Sequence, residues 1–351
     1  MTVDLLDWKR TSAYTLAMKQ ITTPENLAEP FKPRLPWLTG DLQTVRNLLV
    51  GRPADLSAWP CRRVELDLDD GTGDHLLGSF HPATPASGPL AVLIHGLTGS
   101  QDSHYLRATA GFLLTQGFAV LRLNLRGAGP GRALARQQYH AGRSADIDGA
   151  LRAFQALEPK AFETGLFLVG FSLGANVLLK FLAEEGSEWS VTAAATVSAP
   201  IDLRAGQQRL MKPRNRVYHY WLLRNMKREL LSSPGGLDGH RLQVLESVRD
   251  IYDFDDRIVA PANGFDGALD YYTRCSAVVF LPSIKTPTLL VQAVDDPWIP
   301  VESYRCVDWQ AYPNLRLLQA DGGGHVGFHA AKALVPWHDQ KISAFFKQLR
   351  G

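Results

Sequence analysis

From residue 90 onward the chain alternates short, continuously apolar runs with longer stretches in which apolar residues recur every three or four positions. The runs predict strands at 90–94, 119–125, 165–171, 191–197, 288–294 and 315–320. The periodic stretches predict helices at 105–116, 145–157, 173–184 and 338–349. A strand that is apolar throughout must be covered on both faces, and strands separated by helices pair in parallel. The predicted class is therefore α/β: a mostly parallel central sheet with helices on both faces. Before residue 90 the pattern differs. Val64-Glu65-Leu66-Asp67-Leu68 alternates, turns at Asp70-Gly71-Thr72-Gly73 and returns from His75 to Phe80, which predicts an antiparallel hairpin with one solvated face. A loop is expected over 81–89.

The alternation stops at Pro200 and resumes at Thr288. Residues 201–285 are too many for a structureless loop in a compact domain, so they are expected to form an inserted subdomain. Tyr218, Tyr220, Trp221, Phe254, Tyr271 and Tyr272 within it suit a cap over an active site. Residues 1–60 read as an N-terminal extension: a helix over 5–18, then breaks at Pro24, Pro30, Pro33 and Pro36, and a segment with Phe31, Trp37 and Leu38 that docks on the body. The expected organisation is an extension (1–60), a core (61–200 with 286–351) and a cap or lid (201–285).

The predicted strand at 165–171 runs into the helix at 173–184 through Gly170-Phe171-Ser172-Leu173-Gly174. A strand passing into a helix through G-x-S-x-G is a nucleophile elbow. The turn is so tight that the positions two residues either side of the serine must be glycine, the serine oxygen projects above the sheet edge, and the helix aims free N–H groups at the reaction centre. A serine hydroxyl is a weak nucleophile at neutral pH and needs a base within hydrogen-bond reach, itself oriented by a third group. In this topology the partners follow in the order serine, acid, histidine, at later strand ends. Asp295-Asp296-Pro297-Trp298 follows the strand at 288–294, and Gly322-Gly323-Gly324-His325 follows the strand at 315–320. Asp296, one residue farther past the strand and before a proline, is the chosen acid; Asp295 is the alternative, with turn capping as the role of the other. His325 is the chosen base. His329 lies four residues on, but the glutamate of H-E-x-x-H is missing and three glycines precede, so a zinc helix is not expected. His95-Gly96-Leu97-Thr98-Gly99 follows the first buried strand, where a backbone N–H, that of Leu97, would pair with that of Leu173 as an oxyanion hole. His95, Trp298, Tyr218 and Trp221 are the candidate substrate contacts. Asn124-Leu125-Arg126-Gly127-Ala128-Gly129-Pro130-Gly131 resembles a nucleotide loop only in part: Arg132 stands where the third glycine of G-x-G-x-x-G belongs, and a structural turn accounts for it better.

Composition narrows the picture further. The formal net charge is +2, which gives no polyelectrolyte character and no reason to expect nucleic acid. Cys61, Cys275 and Cys306 are widely spaced and lack a C-x-x-C pair, pointing to a reducing compartment and away from disulfides and zinc. Neither a signal-peptide core near the start nor a run long enough to span a membrane is visible, so a soluble, cytoplasmic protein is expected. One local asymmetry stands out. From Arg204 to Arg228 there are eight basic residues and no aspartate or glutamate. Either these cations pair with the acidic cluster Asp250, Asp253, Asp255 and Asp256, or they form a surface for anionic lipid or for the phosphates of an acyl donor.

Taken together, HGLTGS (95–100), NLRGAG (124–129), GFSLGAN (170–176), FDD (254–256), DYY (270–272), AVDDPWIP (293–300) and GGGHVGF (322–328) resemble the α/β-hydrolases. They are most similar to the branch that holds YheT-like, plant EMB8-like and ABHD1/ABHD3-like proteins, whose N-terminal segment WLTGDLQT (37–44) resembles. Ala175 departs from the branch's usual second glycine. The resemblance implies an α/β-hydrolase fold with a cap, Ser172 as nucleophile, His325 as base, Asp296 as orienting acid, no metal or organic cofactor, and a small-molecule acyl ester as substrate. Its members include esterases, lipases and some acyl-transferring relatives. The expected activity is ester hydrolysis, with acyl transfer to an alcohol as the alternative and a non-catalytic binding protein as the reading from a different class.

Overall fold

The structure is a computed structural model that describes residues 29–50, 53–84, 87–331 and 333–350. The helix expected over 5–18 lies outside the described residues. The strands are β1 (Arg62–Asp67), β2 (His75–His81), β3 (Leu90–Ile94), β4 (Ala119–Leu123), β5 (Leu166–Phe171), β6 (Val191–Val197), β7 (Thr288–Ala293) and β8 (Leu315–Ala320). Among the described residues these eight strands form one sheet in the order β1-β2-β4-β3-β5-β6-β7-β8. β2 is antiparallel to both β1 and β4, and the neighbours from β4 to β8 are parallel.

The sheet is covered by α2 (His104–Thr115) and α9 (Trp337–Leu349) on one face and by α3 (Ala145–Leu157) and α4 (Leu173–Glu184) on the other. The period of two along a strand sends alternate side chains to the two layers. Ala91 and Leu93 of β3 pack with Leu106, Ala110 and Phe345, whereas Leu90, Val92 and Ile94 pack with Ile147, Phe154 and Leu178. This double coverage is why β3 and β5 are apolar at nearly every position.

Two details differ from expectation, and a third agrees with it. β4 stops at Leu123, because the Leu125 N–H is taken by the His95 ring instead of a strand. The hairpin's solvated face is confined to β1, which alternates buried and exposed; β2 is buried almost throughout because it lies between β1 and β4. The turn at 124–131 centres on Arg126, whose buried guanidinium binds Asp146 (Nε to Oδ2, 3.0 Å) and Asp74 (Nη1 to Oδ2, 3.1 Å) and so ties the β1–β2 turn to α3.

Between β6 and β7 the described chain is helical: α5 (Leu203–Leu210), α6 (Arg216–Leu231), α7 (Gly239–Ser247), a run from Ile251–Phe254 through a π-turn at Asp255–Val259, and α8 (Ala268–Cys275). Leu222, Leu223, Met226, Leu245, Ile251 and Phe254 give these helices an apolar centre of their own. At the N-terminal side, α1 (Gly40–Val50) follows a segment that pairs Pro33 with Ala330 and packs Phe31 edge-on against Phe328 and Trp337.

Candidate active site

At the end of β5 the chain reverses within one residue. Ser172 has φ 50° and ψ −123°, left-handed backbone that a residue with a Cβ adopts only when its surroundings enforce it. Here they do: the Ser172 N–H donates to the Val197 carbonyl at 2.9 Å, and the Ser172 carbonyl accepts from Ala175 (2.9 Å) and Asn176 (3.2 Å) in the first turn of α4. A Cβ on Gly174 would lie 2.2 Å from the His95 carbonyl oxygen, so α4 can start here only with glycine at that position. The turn after β3 is equally close: a Cβ on Gly96 would lie 2.7 Å from Ser172 Cβ.

His325 arrives from the glycine-rich turn after β8. Its Nε2 is 2.8 Å from Ser172 Oγ and its Nδ1 is 3.0 Å from Asp296 Oδ2. Asp296 is almost fully buried, and its Oδ1 accepts from the Trp298 (2.8 Å) and Ile299 (3.0 Å) N–H groups, which fixes the carboxyl plane. With the Nδ1 proton donated to Asp296, the Nε2 lone pair faces the serine hydroxyl. Trp298 stacks on the imidazole, with ring centroids 4.3 Å apart. The neighbouring Asp295 points elsewhere: its Oδ1 accepts the Gly324 N–H at 2.8 Å, and burial pushes its carboxyl pKa up. One aspartate meets the imidazole, and the other pins the turn that carries it.

That turn has a second support, which the sequence reading missed. The His325 N–H donates to Thr44 Oγ1 (2.8 Å), and the Thr44 hydroxyl donates to the Gly40 carbonyl (2.7 Å). Gln43 accepts the His329 N–H at Oε1 (2.7 Å) and donates from Nε2 to the Trp37 (2.6 Å) and His329 (3.2 Å) carbonyls. Nothing in the residue pattern sets Gln43 and Thr44 apart from Thr39, Asp41, Arg46 and Asn47 of the same segment.

The N–H groups of Leu97 and Leu173 take no hydrogen-bond partner among the described residues, and both residues line the cavity beside Ser172. The turn that holds Leu97 is braced on both sides. The Gly96 N–H donates to Tyr105 Oη (3.0 Å), the Thr98 N–H donates to Tyr139 Oη (2.7 Å), and the Tyr139 hydroxyl donates to Glu229 Oε2 on α6 (2.9 Å). Such donors, fixed in place beforehand, are what stabilises charge developing on a carbonyl oxygen.

A cavity of about 430 Å³ opens beside Ser172, walled by Leu97, Leu173 and Trp298 and, from the helical segment, by Leu222, Met226 and Ile258. Two carboxyls also face it. Burial pushes Asp255 and Glu229 up to about 7, and each accepts a tyrosine hydroxyl: Tyr272 to Asp255 Oδ2 at 2.6 Å, Tyr139 to Glu229 as above.

Three of the four candidate substrate contacts fall elsewhere. His95 is fully buried outside the cavity wall, accepting the Leu125 N–H at Nε2 (3.0 Å) and donating from Nδ1 to the Gly96 carbonyl (2.8 Å); burial lowers its pKa to about 4, so it is a neutral brace for the turn. Tyr218 donates to Asp41 Oδ1 (3.0 Å) and meets Trp298 edge-on, one ring removed from His325. Trp221 is exposed on the far side of α6 and is not part of the cavity wall. Trp298 alone of the four reaches the site. The cations of 204–228 do not pair with the acidic cluster either. Asp250 caps its own helix, Asp253 pairs with Arg257, Asp255 binds Tyr272 and Asp256 accepts the Ala268 N–H, while Arg214 reaches Asp41 at 2.9 Å. Asp250 and Asp253 are satisfied within their own helical run and Asp255 and Asp256 by α8, so among the described residues none pairs with a cation of α6.

A family model for the alpha/beta hydrolase fold matches residues 89–331. The chain is 33% identical over 335 residues to the "Putative esterase YheT" of Escherichia coli (strain K12), covering 93% of this chain and 96% of that one. It is 28% identical over 270 residues to the phospholipase ABHD3 of Homo sapiens, covering 74% of this chain and 63% of that one. Among solved structures it is similar to an esterase of Pyrococcus furiosus, with a TM-score of 0.59 at 18% identity over 86% of this chain and 98% of that one.

Proposed function

Because this chain belongs to the α/β-hydrolase family, in the esterase- and lipase-type branch of YheT, EMB8 and ABHD3, we propose that it is a serine hydrolase that cleaves carboxylic esters through Ser172, His325 and Asp296. The observation that carries this reading is the unbroken line of hydrogen bonds from Ser172 Oγ through the His325 ring to Asp296. Ser172 Oγ attacks the ester carbonyl carbon as His325 Nε2 takes its proton. The carbonyl oxygen gains the charge and accepts the Leu97 and Leu173 N–H groups. Collapse breaks the bond to the alcohol oxygen, which leaves with the proton from His325, and Ser172 keeps the acyl group. Water then gives a proton to His325, attacks the acyl carbon and releases the acid, and the proton returns to Ser172. Asp296 stabilises the imidazolium and holds its orientation throughout.

Residues 201–285 act in this reading as the cap that shapes the acyl pocket, on a core of 61–200 and 286–351. The support is that Leu222, Met226 and Ile258 supply its apolar wall. A cytoplasmic location is part of the same proposal, supported by Cys61 and Cys306 as exposed free thiols. Recovery from cells in an oxidising compartment would overturn it.

The test is a panel of p-nitrophenyl esters, from acetyl to palmitoyl, run with wild type and Ser172→Ala. Turnover that disappears with the serine supports the reading. Turnover that survives in the variant, or none in wild type on any chain length, overturns it. If added alcohol captures the acyl group as a new ester in preference to water, the reaction is acyl transfer instead.

A further inference from the structure

α6 has two apolar faces where a helix on a soluble protein usually has one. Leu222, Leu223, Met226 and Leu230 turn inward. The opposite edge repeats at helical spacing as Val217, Tyr220, Trp221 and Arg224, with Val217 80% and Tyr220 67% exposed. Exposed apolar side chains are ordinary when they are scattered, but a stripe of Val, Tyr and Trp along one helix edge is not.

The stripe does not stand alone. Asp41 of α1 binds Arg214 and Tyr218, which draws α1 against the start of α6 and brings the exposed Leu38 and Leu42 to the same region. Its surroundings are cationic. Arg216, Arg224 and Arg228 take no ion-pair partner among the described residues, and from Arg204 to Arg228 the sequence contains no aspartate or glutamate. Apolar and aromatic groups ringed by unpaired arginines match an anionic bilayer surface. At such a surface aromatic rings favour headgroup depth with their polar atoms wet, aliphatic groups favour the acyl boundary, and guanidiniums favour lipid phosphates. Among the described residues no helix is long and apolar enough to cross a membrane, so contact of this kind is peripheral.

We propose that the outer edge of α6, with the adjoining start of α1, is a docking surface for anionic lipid membranes. It lies on the reverse of the helix that walls the cavity and does not depend on the ester reading, because a catalytically dead protein would still dock.

The experiment is sedimentation of the full chain with phosphatidylglycerol and with phosphatidylcholine vesicles, at low and high salt. Wild type is expected to bind the anionic vesicles at low salt, more weakly at high salt, and to bind the zwitterionic ones least. Removing two such charges weakens binding about 30-fold, so Arg216→Glu with Arg224→Glu is expected to lose at least that much. Val217→Asp with Tyr220→Asp is expected to abolish sedimentation. Both double variants should keep the wild-type far-UV circular dichroism and a Tm near wild type, which shows that they are folded. The proposal is overturned if wild type fails to bind anionic vesicles at low salt, or if neither variant changes binding. It is also overturned if Val217→Asp with Tyr220→Asp dissolves a dimer of a chain that binds no vesicles, which would assign the face to a second copy.

Discussion

The two sides of the cavity are built on different terms. On the sheet side, Ser172, Asp296, His325 and the turn at Leu97 come from loops at strand ends, and hydrogen bonds to backbone groups or buried hydroxyls hold them in place. On the helical side the wall is Leu222, Met226 and Ile258, placed by packing, together with the buried carboxyls of Glu229 and Asp255. Reacting groups must be held to a fraction of an ångström, which directed bonds can do. An acyl chain asks only for volume and low polarity, which packing supplies and tolerates changing. Changes on the sheet side should therefore appear in kcat, and changes on the helical side in the choice of substrate.

The sharpest test of the sheet side is Ser172→Ala. Turnover is expected to fall by on the order of 10⁵, with labelling by a fluorophosphonate probe lost and Tm near wild type. A variant still labelled at another serine would move the site. Asp296→Asn is expected to lower kcat by roughly 10³–10⁴, because the amide favours the wrong imidazole tautomer. Asp295→Ala should instead cost about 1–3 kcal/mol of stability by removing the acceptor for the Gly324 N–H, with a much smaller loss of rate. An exchange of those two outcomes would reverse their roles.

The two sides meet at Tyr139, which joins the Thr98 N–H to Glu229. Tyr139→Phe leaves both without their partner, and kcat is expected to drop about tenfold with KM little changed. A rise in KM alone would place Tyr139 on the helical side of the contrast. On that side, Met226→Trp should lower kcat/KM for an octanoyl ester about tenfold and leave the acetyl ester within about twofold. Equal losses on both esters would mean that the helices position the chemistry as well.

The smallest effect is on stability against pH. Glu229 and Asp255 titrate near 7 in the folded chain and near 4 when unfolded. Between those values the folded state holds more protons, so their contribution is fully present below about pH 4 and is lost as pH rises towards 7. Glu229→Gln is expected to flatten the fall in Tm between about pH 4 and pH 7. An unchanged slope by calorimetry would remove Glu229 as its source.

Local order was legible in the residue pattern wherever the cause is local. A strand covered on both faces has to be apolar at nearly every position, and β3 and β6 begin and end where their apolar runs do. The elbow was legible because its geometry admits only glycine beside Ser172. The hairpin's wet face was misread because burial of β2 depends on β4, whose paired residues lie 39 to 45 positions away. Neighbouring aspartates look alike in sequence, and it took the N–H groups of Trp298 and Ile299 to turn Asp296 towards His325 while Gly324 took Asp295. Thr44 lies 281 positions from His325, and its place under the turn that carries His325 follows from how α1 docks. The same holds for the cations of α6, whose number was readable and whose partners were not. Spacing and propensity act over a few residues, whereas contact between distant residues is decided by which faces the packed layers bring together.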